Sequence, residues 1–133
     1  NTDITRIRFT SSHPSGCTAE LAAAMRDLPA ICPHLHLPLQ SGSDNVLRRM
    51  RRGYTTTRYL NALQRLREAV PDLAVTTDII VGFPGETPED FEATRKVMET
   101  AGFANAFVFK YSPRPGTPAA EWDDDVTDAE KRR

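Results

Sequence analysis

Long apolar runs, paired cysteines and a charge of one sign are all missing from this sequence. No stretch reaches the ~18 apolar residues of a membrane span, and no signal peptide is visible. With 17 basic and 18 acidic residues the formal charge is −1, so no global field pulls the chain toward nucleic acid or a membrane. Cys17 and Cys32 are the two cysteines, too far apart for a CxxC or CxxxCxxC motif. They read as reduced structural thiols of a cytoplasmic protein. Histidine is scarce as well, and none follows His36.

What charge there is lies unevenly. Arg48, Arg49, Arg51, Arg52, Arg58, Arg65 and Arg67 crowd one segment, while Glu121, Asp123, Asp124, Asp125, Asp128 and Glu130 crowd the tail. The plain reading is solvated helix faces and an acidic linker. The 133 residues suffice for one domain with a real core. A first residue other than Met and a helix-like DAEKRR ending suggest a piece of a longer chain.

Strand-like and helix-like segments alternate. RIRFTSS (6–12), HLHLPLQ (34–40), AVTTDIIVGF (74–83) and AFVFKYS (106–112) read as strands. Between them TAELAAAMRDL carries Leu21, Met25 and Leu28 on one face, closed by Pro29. SDNVLRRM is a shorter helix. TTTRYLNALQRLREAV has a stripe of Tyr59, Leu63, Leu66 and Val70, and EDFEATRKVMETA ends at Gly102. Repeated β-then-α order argues for a parallel sheet with right-handed crossovers.

Each strand has one apolar side for the helices and one with polar groups near its C-terminal end. Leu35, Leu37 and Leu39 oppose His34, His36 and Gln40; Val75, Thr77, Ile79 and Val81 oppose Thr76, Asp78, Ile80 and Gly82. In the last strand Phe107, Phe109 and Tyr111 form the apolar side, opposite Val108, Lys110 and Ser112. An open sheet covered on both faces would read apolar on both. The fold class expected is therefore α/β, a partial TIM-like βα barrel of about four parallel strands with flanking helices.

Function in such folds gathers at strand C-terminal ends. Here these are TSSHP, LQSGS, DIIVGFPGE and YSPRPGTP, rich in residues that let backbone approach a ligand. In the third, Thr87, Pro88 and Asp90 are explained as helix cap, first helical residue and capping box. Gly82 is not, because a strand-end glycine marks a bulge or something lying on the backbone. His34 and His36 share a face and form a workable metal pair, yet completing the site would need carboxylates such as Asp78. Satisfied or inward-facing histidines are the favoured reading.

HLHLPLQSGSDNVLRRMRRGYT, TTDIIVGFPGETPEDF and YSPRPGTPAA, in this order and spacing, closely resemble the methylthiotransferase branch of the radical S-adenosylmethionine (SAM) enzymes. The resemblance runs from RIRFTSSHP to PGTPAA and implies the second half of a radical SAM barrel over residues 1–120. Residues 121–133 would be an acidic linker and helix start leading to an RNA-binding domain. It further implies radical chemistry on SAM bound to a [4Fe–4S] cluster, with sulfur from a second cluster. YSPRPGTPAA and RFTSSHP look like the branch that makes the 2-methylthio form of N6-isopentenyladenosine beside the tRNA anticodon. Sibling branches act on a threonylcarbamoyl-modified tRNA adenosine or on a ribosomal protein, the latter typically with an acidic residue near Arg114.

By the same resemblance, Gln40, Ser41 and Ser43 would approach the SAM ribose and methionyl group. Arg52 would pair with its carboxylate, a task suited to a planar fork of donors. Ile80, Gly82 and Phe83 would pack on the adenine, and Arg114 would contact the substrate nucleotide or its phosphate. Residue chemistry alone also allows Ser43 to be only a helix cap and Arg52 only solvated. The family's Cys-x3-Cys-x2-Cys and its second cluster's ligands have no counterpart here, so neither a catalytic residue nor a metal ligand is expected in this segment. The expected partners are the tRNA anticodon stem-loop and the remaining domains of a longer enzyme, with no membrane.

Two other classes are open to these residues. One is a metal-dependent hydrolase arc using His34, His36 and Asp78. The other is a non-catalytic module gripping a nucleoside or RNA through Arg48 to Arg67. An incomplete barrel would also leave RIRFTSS and AFVFKYS as open edges, prone to association.

Overall fold

A computed structural model describes residues 3–11 and 13–132. Ser12 of the first strand end and Arg133 of the tail therefore lie outside the described residues. The elements are α1 (Ala19–Asp27), β1 (His34–His36), α2 (Asp44–Arg49), α3 (Thr56–Ala69), β2 (Ala74–Val81), α4 (Pro88–Ala101) and β3 (Asn105–Lys110). Short 3-10 turns cover Pro14–Gly16, Pro118–Glu121 and Glu130–Arg132.

The helices begin where side chains can take their orphan N–H groups. Thr18, Ser43, Thr55 and Thr87 cap the four helices in turn. Thr87 and Asp90 close a full capping box, with Pro88 at the first turn. Gly102 ends α4 in the left-handed conformation, φ 55°, where a side chain is disfavoured. Leu28 falls just past α1 and is exposed, while Met25 is buried, so the apolar stripe of α1 is shorter than its spacing suggests.

All three strands run parallel in the order β1-β2-β3. Strand order that never reverses keeps successive helices on one side, as in a barrel wall rather than a doubly wound sheet. Leu35, Leu37, Leu39, Val75 and Ile79 on that side are 0–1 % exposed. They pack in one core with Met25, Tyr59, Leu63, Leu66 and Ala101. Tyr59 donates its phenol to the Leu37 carbonyl at 2.7 Å and Tyr54 to that of Leu39 at 2.9 Å, tying the helix layer to the strand end.

Three expectations are corrected. RIRFTSS is not a continuous strand; among its described residues it pairs with its neighbour only at the bridges Ile7↔Ile31 and Thr10↔His36. The chain bends at Pro33 and His34 sends its N–H to the Cys32 carbonyl, so the ladder jumps register. HLHLPLQ is regular only over His34–His36, because Pro38 offers no N–H. Beyond it, pairing shifts from His36↔Thr76 to Gln40↔Ile79, one extra residue on the β1 side. That bulge is held by Leu39 N–H donating to Thr77 Oγ1 at 2.8 Å, and Gln40 sits in it at φ 72°.

The third correction concerns β3. Phe107 pairs with Asp78 and Phe109 with Ile80, and paired residues of neighbouring parallel strands share a face. Phe107, Phe109 and Tyr111 therefore lie on the side away from the helices, with the Phe107 ring 6.2 Å from His36. Val108 faces the helix side and is 55 % exposed. Alternation tells two faces apart but not which one is inward.

Candidate functional site: a cationic cleft at the strand ends

The bulge, the α2–α3 connection, the Gly-Pro-Gly turn and the loop after β3 meet around a cleft of about 770 Å³, within the range of small-molecule sites. Asp78, Ile80, Phe83 and Phe109 supply strand-end side chains to it. Arg49, Arg51 and Arg52 border it on one flank and Arg114 on the other; Lys110 also borders it, but it pairs with Val81 and its side chain turns to the helix side. Four guanidinium groups stand against one carboxylate, so the cleft suits an anionic ligand. Asp78 is engaged with His36 Nε2 at 3.2 Å.

The Arg52 segment is fixed from behind. His13 Nδ1 accepts the Ser15 N–H at 3.1 Å, which leaves Nε2–H to donate to the Arg52 carbonyl at 2.8 Å. Arg51 next to it takes φ 56°, as Gln40 across the cleft takes 72°. Two non-glycine residues held at positive φ on one cleft are backbone strain of the kind that collects at binding sites.

Of the residues singled out in the sequence, Gln40, Arg52, Ile80, Phe83 and Arg114 border this cleft. Ser41, Ser43 and Gly82 do not. Ser41 is fully buried, its hydroxyl 3.3 Å from Thr94 Oγ1 and accepting the Ser43 N–H. Ser43 caps α2 and donates to Asp90 at 2.5 Å. Burial pushes the Asp90 carboxyl up, but hydrogen bonds from Ser43, Thr87 and Asn45 outweigh it and hold the pKa below the usual value. Gly42 between them has no room for a side chain, since a Cβ there would meet the α4 backbone at Thr94 within 2.4 Å. The LQSGS segment thus docks the strand end onto α4.

Gly82 is covered by the chain's own tail. A Cβ on it would lie 2.4 Å from the Lys131 stem, and its N–H donates to Glu86 Oε2. Burial raises the Glu86 pKa above the ordinary carboxylate value, and its other oxygen, Oε1, is buried with no partner among the described residues. Trp122 from the tail also borders the cleft, edge-on to Phe83 at 6.1 Å, with the Arg49 guanidinium 5.0 Å from its ring centre. Sequence reasoning missed Trp122 and Lys131, and it set Phe109 on the helix side. The unexplained glycine at 82 was the one signal that something lies on this turn.

His34, His36 and Asp78 do not assemble a metal site. His36 divides its ring between Thr76 at 2.9 Å and Asp78. The buried His34 Nδ1 has no partner among the described residues, and burial lowers its pKa, with Arg8 and His36 adding to the effect. Among the described residues no three His, Cys, Asp or Glu side chains gather within ligating reach of an ion.

A parallel βα arc with its cleft at the strand C-terminal ends defines a barrel-type α/β ligand-binding fold. Residues 2–98 match the Radical SAM superfamily, and the chain belongs to that superfamily. It is 63% identical over 116 residues to the tRNA-2-methylthio-N(6)-dimethylallyladenosine synthase of Saccharopolyspora erythraea, covering 87% of this chain and 24% of that protein. It is 61% identical over 124 residues to the synthase of the same name from Parafrankia sp., covering 93% and 25%. The chain thus spans about a quarter of the length of these curated relatives. In fold it is similar to coproporphyrinogen III oxidase (HemN) from Escherichia coli, described as a radical SAM enzyme. The TM-score is 0.70 at 23% identity, over 94% of this chain and 27% of that one.

The superfamily uses SAM together with an iron–sulfur cluster. The residues present do not fit a cluster. Cys17 is buried, its thiol pushed up by that burial, and Cys32 accepts a hydrogen bond from Arg6 at 3.1 Å. Cluster ligation needs thiolates grouped together. The cleft does fit SAM in its donor set, with guanidinium groups for a carboxylate and the apolar side chains of Ile80 and Phe83 for an adenine.

Proposed function

We propose that this chain is part of the radical SAM domain of a tRNA methylthiotransferase that places a methylthio group on C2 of N6-isopentenyladenosine beside the anticodon. The observation that carries the reading is the cationic strand-end cleft, in a chain 63% identical to a relative of that name. The partner is the tRNA anticodon stem-loop and the setting the cytoplasm. Residues 1–120 act as barrel, and 121–133 lead toward an RNA-binding domain.

SAM, when bound, supplies the methyl group and the radical precursor. This chain's own residues bind and orient. Arg52, its backbone fixed by His13, pairs with the methionyl carboxylate, and Gln40 faces the ligand from the bulge. Ile80 and Phe83 pack against the adenine and keep water from it. Arg114 meets the substrate nucleotide or its phosphate. Ser41, Ser43 and Gly82 act by placing these groups, through α4 and the tail.

The test is to supply the complete gene carrying this segment to a bacterium lacking the modification and analyse its digested tRNA by mass spectrometry. The expected product is 2-methylthio-N6-isopentenyladenosine, cut at least about tenfold by Arg52→Ala through loss of a charge-assisted contact. A methylthio group on threonylcarbamoyladenosine instead would move the protein to the sibling branch. Unmodified tRNA despite a folded, cluster-loaded protein would overturn the reading.

A further inference from the structure

The tail is built into the cleft. Lys131 is a charged residue whose side chain is only 3% exposed, a costly placement unless the charge is paired. Its Nζ reaches both carboxylate oxygens of Asp124, at 2.5 and 2.6 Å, and stands 5.8 Å from the Tyr111 ring centre. Its stem fills the space that a side chain at Gly82 would need. Nearby, Asp125 Oδ1 accepts the Gly85 N–H at 2.6 Å, and Tyr111 donates its phenol to the Ala119 carbonyl at 2.9 Å. Between these anchors Trp122 is set against Phe83.

An ion pair with one buried partner contributes little net stability compared with apolar packing, but it selects one geometry. The geometry selected here puts an indole on the border of the cleft and beside the side chain assigned to the adenine. We propose that Lys131 is a positioning residue for the ligand cleft: seated on Gly82 and tied to Asp124, it latches the tail so that Trp122 and Phe83 form a fixed wall. The identity of the ligand rests on the function proposed above; the latch does not.

Hydrogen exchange read by mass spectrometry on the intact protein separates the two. In wild type the Gly82 amide, bonded to Glu86 beneath the Lys131 stem, and the Gly85 amide, bonded to Asp125, should both be protected. Asp124→Ala leaves an uncompensated buried ammonium, and should speed exchange of both amides by about tenfold or more as the tail opens. Adding Lys131→Met to that variant removes the orphan charge while keeping an apolar stem on Gly82, and should restore protection. S-adenosylhomocysteine, titrated as probe, should bind about tenfold more weakly to Asp124→Ala and recover in the double variant.

Unchanged exchange in Asp124→Ala would overturn the latch. An open tail with undiminished probe affinity would overturn the positioning role. Failure of the probe to bind wild type would count against the SAM reading alone, since exchange still decides the latch.

Discussion

Glu86 shows how one side chain can be read for its pH behaviour. Its carboxyl is half-buried behind the Gly82 turn, with one oxygen taking an N–H and the other unpartnered among the described residues. Burial is the main cause of its raised pKa; the Gly82 hydrogen bond opposes the rise and Asp90 adds to it. A carboxyl that binds its proton more tightly when folded costs stability as pH rises from the unfolded pKa through the folded one, and the cost is complete above the folded value. Carboxyl NMR should therefore find Glu86 titrating above Glu92, whose carboxyl is held low by Arg95. In urea melts, Glu86→Gln should compare better with wild type at pH 7 than at pH 4. An equal difference at both pH values would remove this account of Glu86.

At the scale of elements, two contacts decide whether strand ends and helices keep their places. Gly42 lies flat on α4, where a Cβ would strike Thr94 Cα and the Ala93 carbonyl. Backbone cannot yield as a side chain can, so Gly42→Ala should cost about 1–3 kcal/mol of unfolding free energy. It should also loosen the Gln40 bulge next to it; a melt within error of wild type would show the helix shifting freely. On the other side, Tyr59→Phe would strip the Leu37 carbonyl of its phenol donor. A buried acceptor left unmet costs about 1–3 kcal/mol, measurable as a lower urea midpoint at constant slope. A loss under 0.3 kcal/mol would imply that water replaces the phenol, on the order of a negligible surface change.

For the molecule as a whole, the unfinished feature is the β3 edge. Phe107, Val108 and Phe109 are each about half exposed, on both faces of an edge strand that among the described residues pairs only with β2. Unpaired strand backbone with apolar neighbours is a template for association. The 133-residue chain on its own should self-associate with rising concentration in sedimentation experiments, and Val108→Lys should shift it toward monomer. A sharp monomer for wild type across the micromolar range would contradict this. The other edge, from Ile7 to Thr10, makes only isolated bridges and offers a poorer template.

Periodicity and capping chemistry were legible because they are local. The stripe of Tyr59, Leu63, Leu66 and Val70, the Thr87–Asp90 box and the Gly102 stop each depend on residues a few positions apart, and each stands as expected. The βα alternation and the resemblance in three long motifs led to the barrel and the radical SAM superfamily, now supported by fold and family. Tertiary structure alone decided which face of β3 turns inward, because alternation has no sign until a neighbouring strand sets the register. It also decided that Ser41 and Ser43 bond Thr94 and Asp90 of α4, and that Lys131, far along the chain from Gly82, covers that glycine. Contacts across such separations depend on how the chain closes in space, and no local pattern of residues encodes that closure.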